Sequence, residues 1–273
     1  MEPRKSRILA QLRNGDFSTI LKINLSDPRV IEIAGLSGVD AVWLCQEHVP
    51  NDWIGLEGQI RAARLYNMDT VIRVSRGGYS DYIRPFEADA TGILVPHVAN
   101  EEEARQIVEW TRFYPLGKRA LDGGNTDGQF CNLSTDDYIR HSNTERLIAF
   151  QIESPEALEN VEQIAAVPGF DLLVFGPGDF SHRIGKAGKI DAPEVVAARK
   201  KVAAVARRHG KFAMAAGLMA PFPDLVAEGH QLFGVGADVL GLGSYVKQRV
   251  EIIQQHVAAL KRDPQASAST RHD

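Results

Sequence analysis

The sequence predicts an α/β protein of the (β/α)8 TIM-barrel class. Short β-branched apolar segments alternate with amphipathic segments along nearly the whole chain, which is typical of repeated βα units. Eight such apolar segments are present, and no change in composition divides them. The 273 residues suit one barrel, because barrels of about 200–250 residues commonly form a single domain. We therefore expect one barrel domain over residues 1–263 and a disordered tail over residues 264–273.

The eight predicted strands are short runs of apolar residues that end at polar or glycine-rich positions. They span residues 19–23, 41–44, 71–74, 92–95, 148–152, 172–175, 212–215 and 239–242.

Helices are predicted in the intervals between most of these strands. Four examples are residues 28–36, 101–111, 154–166 and 192–208. The third has the clearest beginning, because Ser154 is a good N-cap and Pro155 suits the first helical position. The glycine-rich segment 114–143 lacks periodicity, and we interpret it as a long loop over one mouth of the barrel.

Composition narrows the classes of function. Hydrophobic residues make up 44% of the chain and charged residues 24%, as in ordinary globular proteins. With a formal charge of −4 and no basic stripe, nucleic acid is not an expected partner. No apolar run approaches the roughly 20 residues of a membrane helix, so no membrane association is expected. Cys45 and Cys131 lack CxxC spacing, and no apolar signal segment precedes the first helix, which favours a cytoplasmic protein.

Candidate site residues lie at or just after the ends of four of the predicted strands, where barrel enzymes place their reactive groups. These residues are Glu47 and His48 after the second strand, Arg73 within the third, Gln151 and Glu153 at the fifth, and Gly176, Pro177, Gly178 and Asp179 after the sixth. If the barrel closes, all of them lie at the same mouth.

Glu153 and Asp179 are candidate ligands for a divalent metal. Two carboxylates from neighbouring strands suit Mg²⁺ or Mn²⁺, whose remaining positions water and substrate would fill. The alternative is structural: Glu153 would then favour the positive end of the following helix, and Asp179 would cap a turn. The spacing alone does not separate the two interpretations.

The other candidates also have two interpretations. Arg73 lies in an apolar strand, so its guanidinium either binds a substrate anion or pairs with a barrel carboxylate such as Glu47. His48 is either an acid/base catalyst or a loop histidine. The turn 176–178 either presents backbone amides to a carboxylate or is an ordinary turn.

Taken together, these segments resemble the HpcH/HpaI aldolase family, a class of metal-dependent class II pyruvate aldolases. The resemblance runs from about Thr19 to Gly243. The motifs that carry it are Glu47-His48 with Pro50 and Asn51, Val71-Ile72-Arg73-Val74, Leu94-Val95-Pro96, Tyr114-Pro115 with Gly117 and Arg119, Gln151-Ile152-Glu153-Ser154, and Gly176-Pro177-Gly178-Asp179-Phe180-Ser181.

The resemblance implies a carbon–carbon lyase that cleaves a 4-hydroxy-2-oxo acid into pyruvate and an aldehyde, or forms it from them. It implies that Glu153 and Asp179 hold the metal, with Mg²⁺ or Mn²⁺ expected and Co²⁺ or Zn²⁺ as other possibilities. It assigns pyruvate binding to Arg73, Gln151, Gly176, Pro177, Gly178 and Asp179. Its catalytic residues are His48, which assists proton transfer, and Arg73. A small 2-oxo acid and an aldehyde are thus the expected partners.

The resemblance also implies a homo-oligomer, a trimer or hexamer, in which a C-terminal helix over residues 244–262 packs on a neighbouring subunit. The departure from the family pattern that matters most is Cys45, which stands where these aldolases have an aspartate that orients the histidine. Two alternatives therefore remain beside the aldolase. One is another metal-enolate lyase, such as a decarboxylase or a citrate-lyase-like enzyme, and the other is a non-catalytic oxo-acid binding protein.

Overall fold

Eight parallel strands close into a barrel in the order β1-β2-β3-β4-β5-β6-β7-β8, which confirms the predicted fold class. The structure is a computed structural model and describes residues 3–262. The tail predicted over residues 264–273 lies outside this range. The strands are β1 (Ser18–Lys22), β2 (Ala41–Cys45), β3 (Asp69–Arg73), β4 (Gly92–Val95), β5 (Leu147–Ile152), β6 (Leu172–Phe175), β7 (Phe212–Ala215) and β8 (Leu232–Ala237).

The helices surround the barrel and, in one case, close its lower end. They are α1 (Arg7–Arg13), α2 (Pro28–Leu36), α3 (Trp53–Leu65), α4 (Tyr79–Glu87), α5 (Glu101–Thr111), α6 (Thr135–Glu145), α7 (Pro155–Glu159), α8 (Val161–Ala166), α9 (Pro177–Arg183), α10 (Pro193–Arg208), α11 (Phe222–Glu228) and α12 (Asp238–Arg262). Within the described range, no helix combines the length and apolar character that a membrane span requires.

The side chains inside the barrel form a core separate from the one under the helices. Alternate strand residues such as Ile20, Trp43 and Val71 point inward and pack with Leu9 and Leu12 of α1. Helix α1 therefore seals the amino-terminal end of the barrel. The opposite end, where the strands finish, is left for polar side chains.

The prediction of the eighth strand was wrong. Residues 239–242 lie in α12, and the strand is Leu232–Ala237 instead. The true strand contains Gly234, where a Cβ would lie 2.5 Å from the carbonyl oxygen of Ala216, so only glycine fits beside β7. Glycine lowers strand propensity, which is why the apolar run at 239–242 was the stronger sequence pattern. The other seven strands lie within two residues of their predicted positions.

Two further predictions need correction. The helix predicted over residues 154–166 divides at Asn160, whose side-chain amide donates to the carbonyl of Ala99 at 2.9 Å. The segment 114–143, predicted as a loop over one mouth, contains most of α6, which Ser134 caps. Its earlier part contacts α4, where the Arg119 guanidinium lies over the Phe86 ring, and Arg119 pairs with Asp127 at 2.9 Å.

Candidate active site

The two-residue alternation of the strands brings polar side chains together at the carboxyl end of the barrel. Lys22, Cys45, Arg73 and Gln151 lie near the carboxyl ends of β1, β2, β3 and β5, on the same side of each strand as the inward-facing core residues. Glu153 follows β5 by one residue and keeps the same direction. The mouth is therefore lined by residues from both sides of the barrel.

Glu153 is the most buried carboxylate at this mouth, with 1% of its surface exposed. Its Oε1 accepts the backbone N–H of His97 at 2.7 Å, and its Oε2 accepts the side-chain amide of Gln151. Both donors are neutral. The carboxylate is held in one orientation, but its charge is not balanced by an arginine or lysine.

Gly176 leaves the space that Glu153 and Gln151 occupy. A Cβ at this position would lie 2.7 Å from the Cβ of Glu153, which cannot move without the backbone, and 2.7 Å from its Oε2. The predicted turn glycine therefore has a specific role, although its close neighbours are protein side chains. Pro177 follows as the first residue of α9.

Glu47 is the centre of a polar cluster that joins β2, β3 and β4. Its Oε2 lies 3.0 Å from Arg73 Nε and 3.4 Å from His48 Nε2, and its Oε1 lies 3.2 Å from His97 Nε2. Sequence reasoning named Glu47 only as an alternative partner for Arg73. The structure shows that this ion pair exists.

Arg73 also contacts Cys45 at the end of β2. Its Nε and Nη2 donate to Cys45 Sγ at 3.4 and 3.2 Å, and its guanidinium lies 5.0 Å from the ring centroid of Trp43. The thiol also accepts the backbone N–H of His48 at 3.4 Å. Cys45 therefore positions the arginine and the loop backbone, and it does not contact the imidazole of His48.

His48 is one of the exposed residues among the predicted site residues. Its side chain is 60% exposed and lies beside Glu47 at the rim of the mouth. Asp179 is also exposed and lies in the first turn of α9, next to the exposed Gly178. These residues are accessible to a ligand, whereas Arg73, Gln151 and Glu153 form the buried floor.

Burial is the main perturbation of Glu153. Together with the nearby charges of Asp179 and Glu47, it raises the pKa of Glu153 to about 7, against the opposing hydrogen bond from His97 and the opposing charge of Arg73. Arg73 pairs with Glu47, and among the described residues neither Glu153 nor Asp179 forms an ion pair with an arginine or lysine. A divalent cation held by these two carboxylates would remove the repulsion, and hard oxygen ligands fit such an ion. Among residues 3–262, no cluster of three or more potential metal-binding side chains exists.

Two residues of the mouth, His97 and Lys22, are not among the predicted site residues. His97 contacts both glutamates, and its Nδ1 lies 2.9 Å from Glu153 Oε1 without hydrogen-bond alignment. Its backbone φ of +55° turns the chain sharply after Pro96. Lys22 was inside a correctly predicted strand. A charged residue at the carboxyl end of that strand was the pattern that could have identified it.

Comparison with known proteins places this site in a family. Residues 19–242 match the family model described as HpcH/HpaI aldolase/citrate lyase. A 5-keto-4-deoxy-D-glucarate aldolase of Klebsiella pneumoniae subsp. pneumoniae is 33% identical over 220 residues, covering 81% of this chain and 83% of the relative. A hydroxypyruvate/pyruvate aldolase of Pseudomonas aeruginosa is 33% identical over 208 residues, covering 76% and 77%.

A solved structure shares the same architecture. The HpcH/HpaI aldolase from Desulfitobacterium hafniense DCB-2 superposes with a TM-score of 0.85 at 25% sequence identity, covering 90% of this chain and 96% of that one. The matched range extends from β1 into the beginning of α12 and includes every residue of the mouth described above. This chain belongs to the HpcH/HpaI aldolase/citrate lyase family, a family of carbon–carbon lyases.

Proposed function

We propose that this protein is a metal-dependent aldolase that cleaves or forms a 4-hydroxy-2-oxo acid, with pyruvate as the oxo-acid product or donor. The observation that carries the proposal is the buried Glu153, whose charge is unbalanced at the mouth of a barrel of this family. The names of the aldolase relatives support the reaction class, and one of them names pyruvate.

A divalent cation is the cofactor that this family and this site support, and Mg²⁺ or Mn²⁺ suits the two carboxylates best. Glu153 and Asp179 would hold it. When bound, it would act as a Lewis acid that stabilises negative charge on the oxygen of the 2-oxo group.

The protein's own residues would orient the substrate and move protons. Arg73 presents a guanidinium that Glu47, Cys45 and Trp43 hold in place, so it can donate to a carboxylate without reorganisation. The backbone amides of the turn formed by Gly176, Pro177, Gly178 and Asp179 would contact the same carboxylate. Gln151 holds Glu153 and would contact the oxo acid. His48 lies at the accessible rim, where an imidazole can exchange a proton with the substrate hydroxyl.

The direct test is an aldol assay on the purified protein. We expect pyruvate, an aldehyde and Mg²⁺ or Mn²⁺ to give a 4-hydroxy-2-oxo acid, and a chelator to stop its formation. Release of carbon dioxide, or cleavage of a thioester substrate without aldol product, would favour another lyase of this family. Binding of pyruvate without turnover of any aldehyde would identify an oxo-acid binding protein.

Helix α12 supports a homo-oligomer, in agreement with the predicted C-terminal interface. Every side chain from 239 to 261 is exposed, and the helix carries an apolar stripe with three- and four-residue spacing. This stripe consists of Val239, Leu242, Val246, Val250, Ile253, Val257 and Leu260. Exposed aromatic residues also lie on the barrel beside β8 and α11, at Phe17 and Phe222. A neighbour's α12 could cover them in a trimer or hexamer.

Light scattering after size exclusion tests the assembly. We expect Ile253→Glu to lower the oligomeric state, because it places a charge in the middle of the apolar stripe. Lys247→Glu, on an exposed position of the same helix, is the matched control. An unchanged mass for Ile253→Glu would place the interface elsewhere.

The two cysteines, Cys45 and Cys131, are unpaired, which accords with the proposed cytoplasmic location.

A further inference from the structure

His97 has a ring nitrogen at the mouth that the mechanism above does not use. This atom, Nδ1, is buried and has no hydrogen-bond partner within the described part of the chain. Glu153 Oε1 lies 2.9 Å away, but the two atoms are not aligned for a hydrogen bond. A buried polar atom without a partner is uncommon in a folded protein, so this nitrogen is a candidate ligand atom.

The turn after β4 brings this nitrogen to Glu153. His97 has a backbone φ of +55°, a conformation in which histidine is found more often than most residues. Its backbone N–H donates to Glu153 Oε1 at 2.7 Å. One residue therefore holds the carboxylate oxygen through its backbone and places a ring nitrogen beside the same oxygen. Since each carboxylate oxygen has two lone pairs, Oε1 can still bind a cation.

The separation and direction of the two atoms fit two ligands of one metal ion. Neighbouring ligands of an octahedral ion with bonds of about 2.1 Å stand about 3.0 Å apart. The distance from His97 Nδ1 to Glu153 Oε1 is 2.9 Å. Ligands point at the ion and not at each other, whereas a hydrogen bond would need the ring N–H to point at the oxygen. The pair thus has the spacing of metal ligands and lacks the alignment of a hydrogen bond.

Glu47 would keep this nitrogen free to bind a cation. Its Oε1 lies 3.2 Å from His97 Nε2, on the other side of the ring. When a cation neutralises Glu153, Glu47 is the carboxylate that still attracts a proton to the ring. The proton is then favoured on Nε2, and the lone pair remains on Nδ1. Metal-binding histidines commonly have a carboxylate beside their second ring nitrogen.

We propose that His97 Nδ1 is a third protein ligand of the divalent cation, beside Glu153 and Asp179. The inference rests on the proposed function, which supplies the cation. Residues 3–262 do not hold three such side chains already grouped around one point. His97 and Glu153 would therefore form the part of the site that is in place, and Asp179 would join them from the exposed first turn of α9.

A nitrogen ligand changes which metal the site prefers. Mg²⁺ is a hard cation that is bound mainly by oxygen, whereas imidazole suits the later transition metals. His97 should therefore add more to the affinity for Co²⁺ than to the affinity for Mg²⁺. It adds no negative charge, so the charges of Glu153 and Asp179 would still balance those of the ion.

Pulsed electron paramagnetic resonance of Mn²⁺ bound to the full-length protein tests the inference without turnover. We expect a coupling to a histidine nitrogen, identified by its change on labelling the histidines with nitrogen-15. His97→Gly should abolish the coupling and remain folded, because glycine adopts the positive φ without strain and keeps the backbone donor to Glu153. His209→Gln, at an exposed histidine after α10, is the control and should keep the coupling.

Titration calorimetry with Co²⁺ and Mg²⁺ alone gives a second measure. We expect His97→Gly to weaken Co²⁺ binding by about tenfold or more, at least the loss that follows removal of a group behind a metal ligand. Mg²⁺ binding should weaken less. Equal losses for the two ions would mean that His97 only positions Glu153, and they would overturn the inference. A nitrogen coupling that is absent from the unmodified protein, or that survives in His97→Gly, would overturn it as well.

Failure of the proposed function looks different from failure of this inference. Metal-dependent aldol product from a protein whose bound Mn²⁺ shows no nitrogen coupling would refute only the role of His97. A nitrogen coupling that His97→Gly abolishes, in a protein that gives no aldol product with any aldehyde, would refute only the reaction. If the unmodified protein bound neither Mn²⁺ nor Co²⁺, both proposals would be wrong.

Discussion

The two ends of the barrel each contain a buried carboxylate, but only the one at the amino-terminal end has an arginine as a hydrogen-bond donor. At the amino-terminal end, Asp69 is fully buried and accepts from Arg4 Nη1 at 3.0 Å, Ser6 Oγ at 2.7 Å and the backbone N–H of Ile8 at 2.9 Å. At the carboxyl end, Glu153 accepts only from neutral groups, and its nearest charged neighbours include Asp179 and Glu47.

This difference separates a structural charge from one that we propose to be functional. The protein neutralises Asp69 with its own arginine and uses the carboxylate to anchor α1 beneath the barrel. It orients Glu153 equally well but leaves its charge unmatched, which costs stability in the absence of a ligand. An unbalanced buried charge at the mouth is therefore better evidence for a site than burial or hydrogen bonding alone.

The largest effect is expected from removing the charge at the mouth. Glu153→Gln should lower metal-dependent aldol activity by about a thousandfold or more, because the amide is a poor ligand for a hard cation. The variant should remain folded, since the change relieves repulsion. Activity assays and Mg²⁺ titration calorimetry would check both statements. Glu156→Gln, exposed in the first turn of α7, is the control; full activity of Glu153→Gln would contradict the role of this carboxylate.

Removing the charge at the other end should act on stability. Asp69→Asn leaves Arg4 without its ion pair and weakens the bonds to Ser6 and Ile8, so we expect the free energy of unfolding to fall by about 3 kcal/mol. Denaturant titration would measure the loss, with Asp16→Asn on the exposed surface as a control. Activity per folded molecule should stay near that of the unmodified protein. A stable but inactive variant would mean that the two ends are not independent.

Much of this comparison follows from the sequence. The barrel, seven strands and the inward direction of Arg73, Gln151 and Glu153 follow from strand periodicity, which a local pattern encodes. The place of β8 does not, because Gly234 is required by the close approach of β7, a contact between distant residues. The contacts of Glu47, His97 and Lys22 depend on which side chains lie beside each of them in the folded barrel. Charge balance is a property of the assembled mouth, and no single motif reports it.

The pH dependence of stability should distinguish the two ends further. The pKa of Glu153 is raised from about 4.5 to about 7, so the folded protein binds the proton more tightly than the unfolded chain. Stability from this group is full below about pH 4.5 and is lost as pH rises through about 7, a fall of up to about 3 kcal/mol. Metal-free protein should show this loss in unfolding titrations, and Glu153→Gln should not. Mg²⁺ at pH 8 should restore the stability, since the cation would replace the proton on Glu153. If Glu153→Gln lost the same stability between pH 4.5 and pH 7, the loss would belong to another titrating group.

The smallest effect is expected at Cys45, which is fully buried beside Arg73. An aspartate at this position would accept from Arg73 and from the backbone of His48 more strongly than a thiol does, and it would fix both more firmly. We therefore expect Cys45→Asp to raise aldol turnover by a few-fold, as steady-state kinetics with pyruvate and an aldehyde would show. Cys45→Ser, which adds no charge, separates the carboxylate from a change in size. A lower rate for the aspartate variant would mean that a second acid draws Arg73 away from Glu47, and that the thiol is needed because it leaves their ion pair undisturbed.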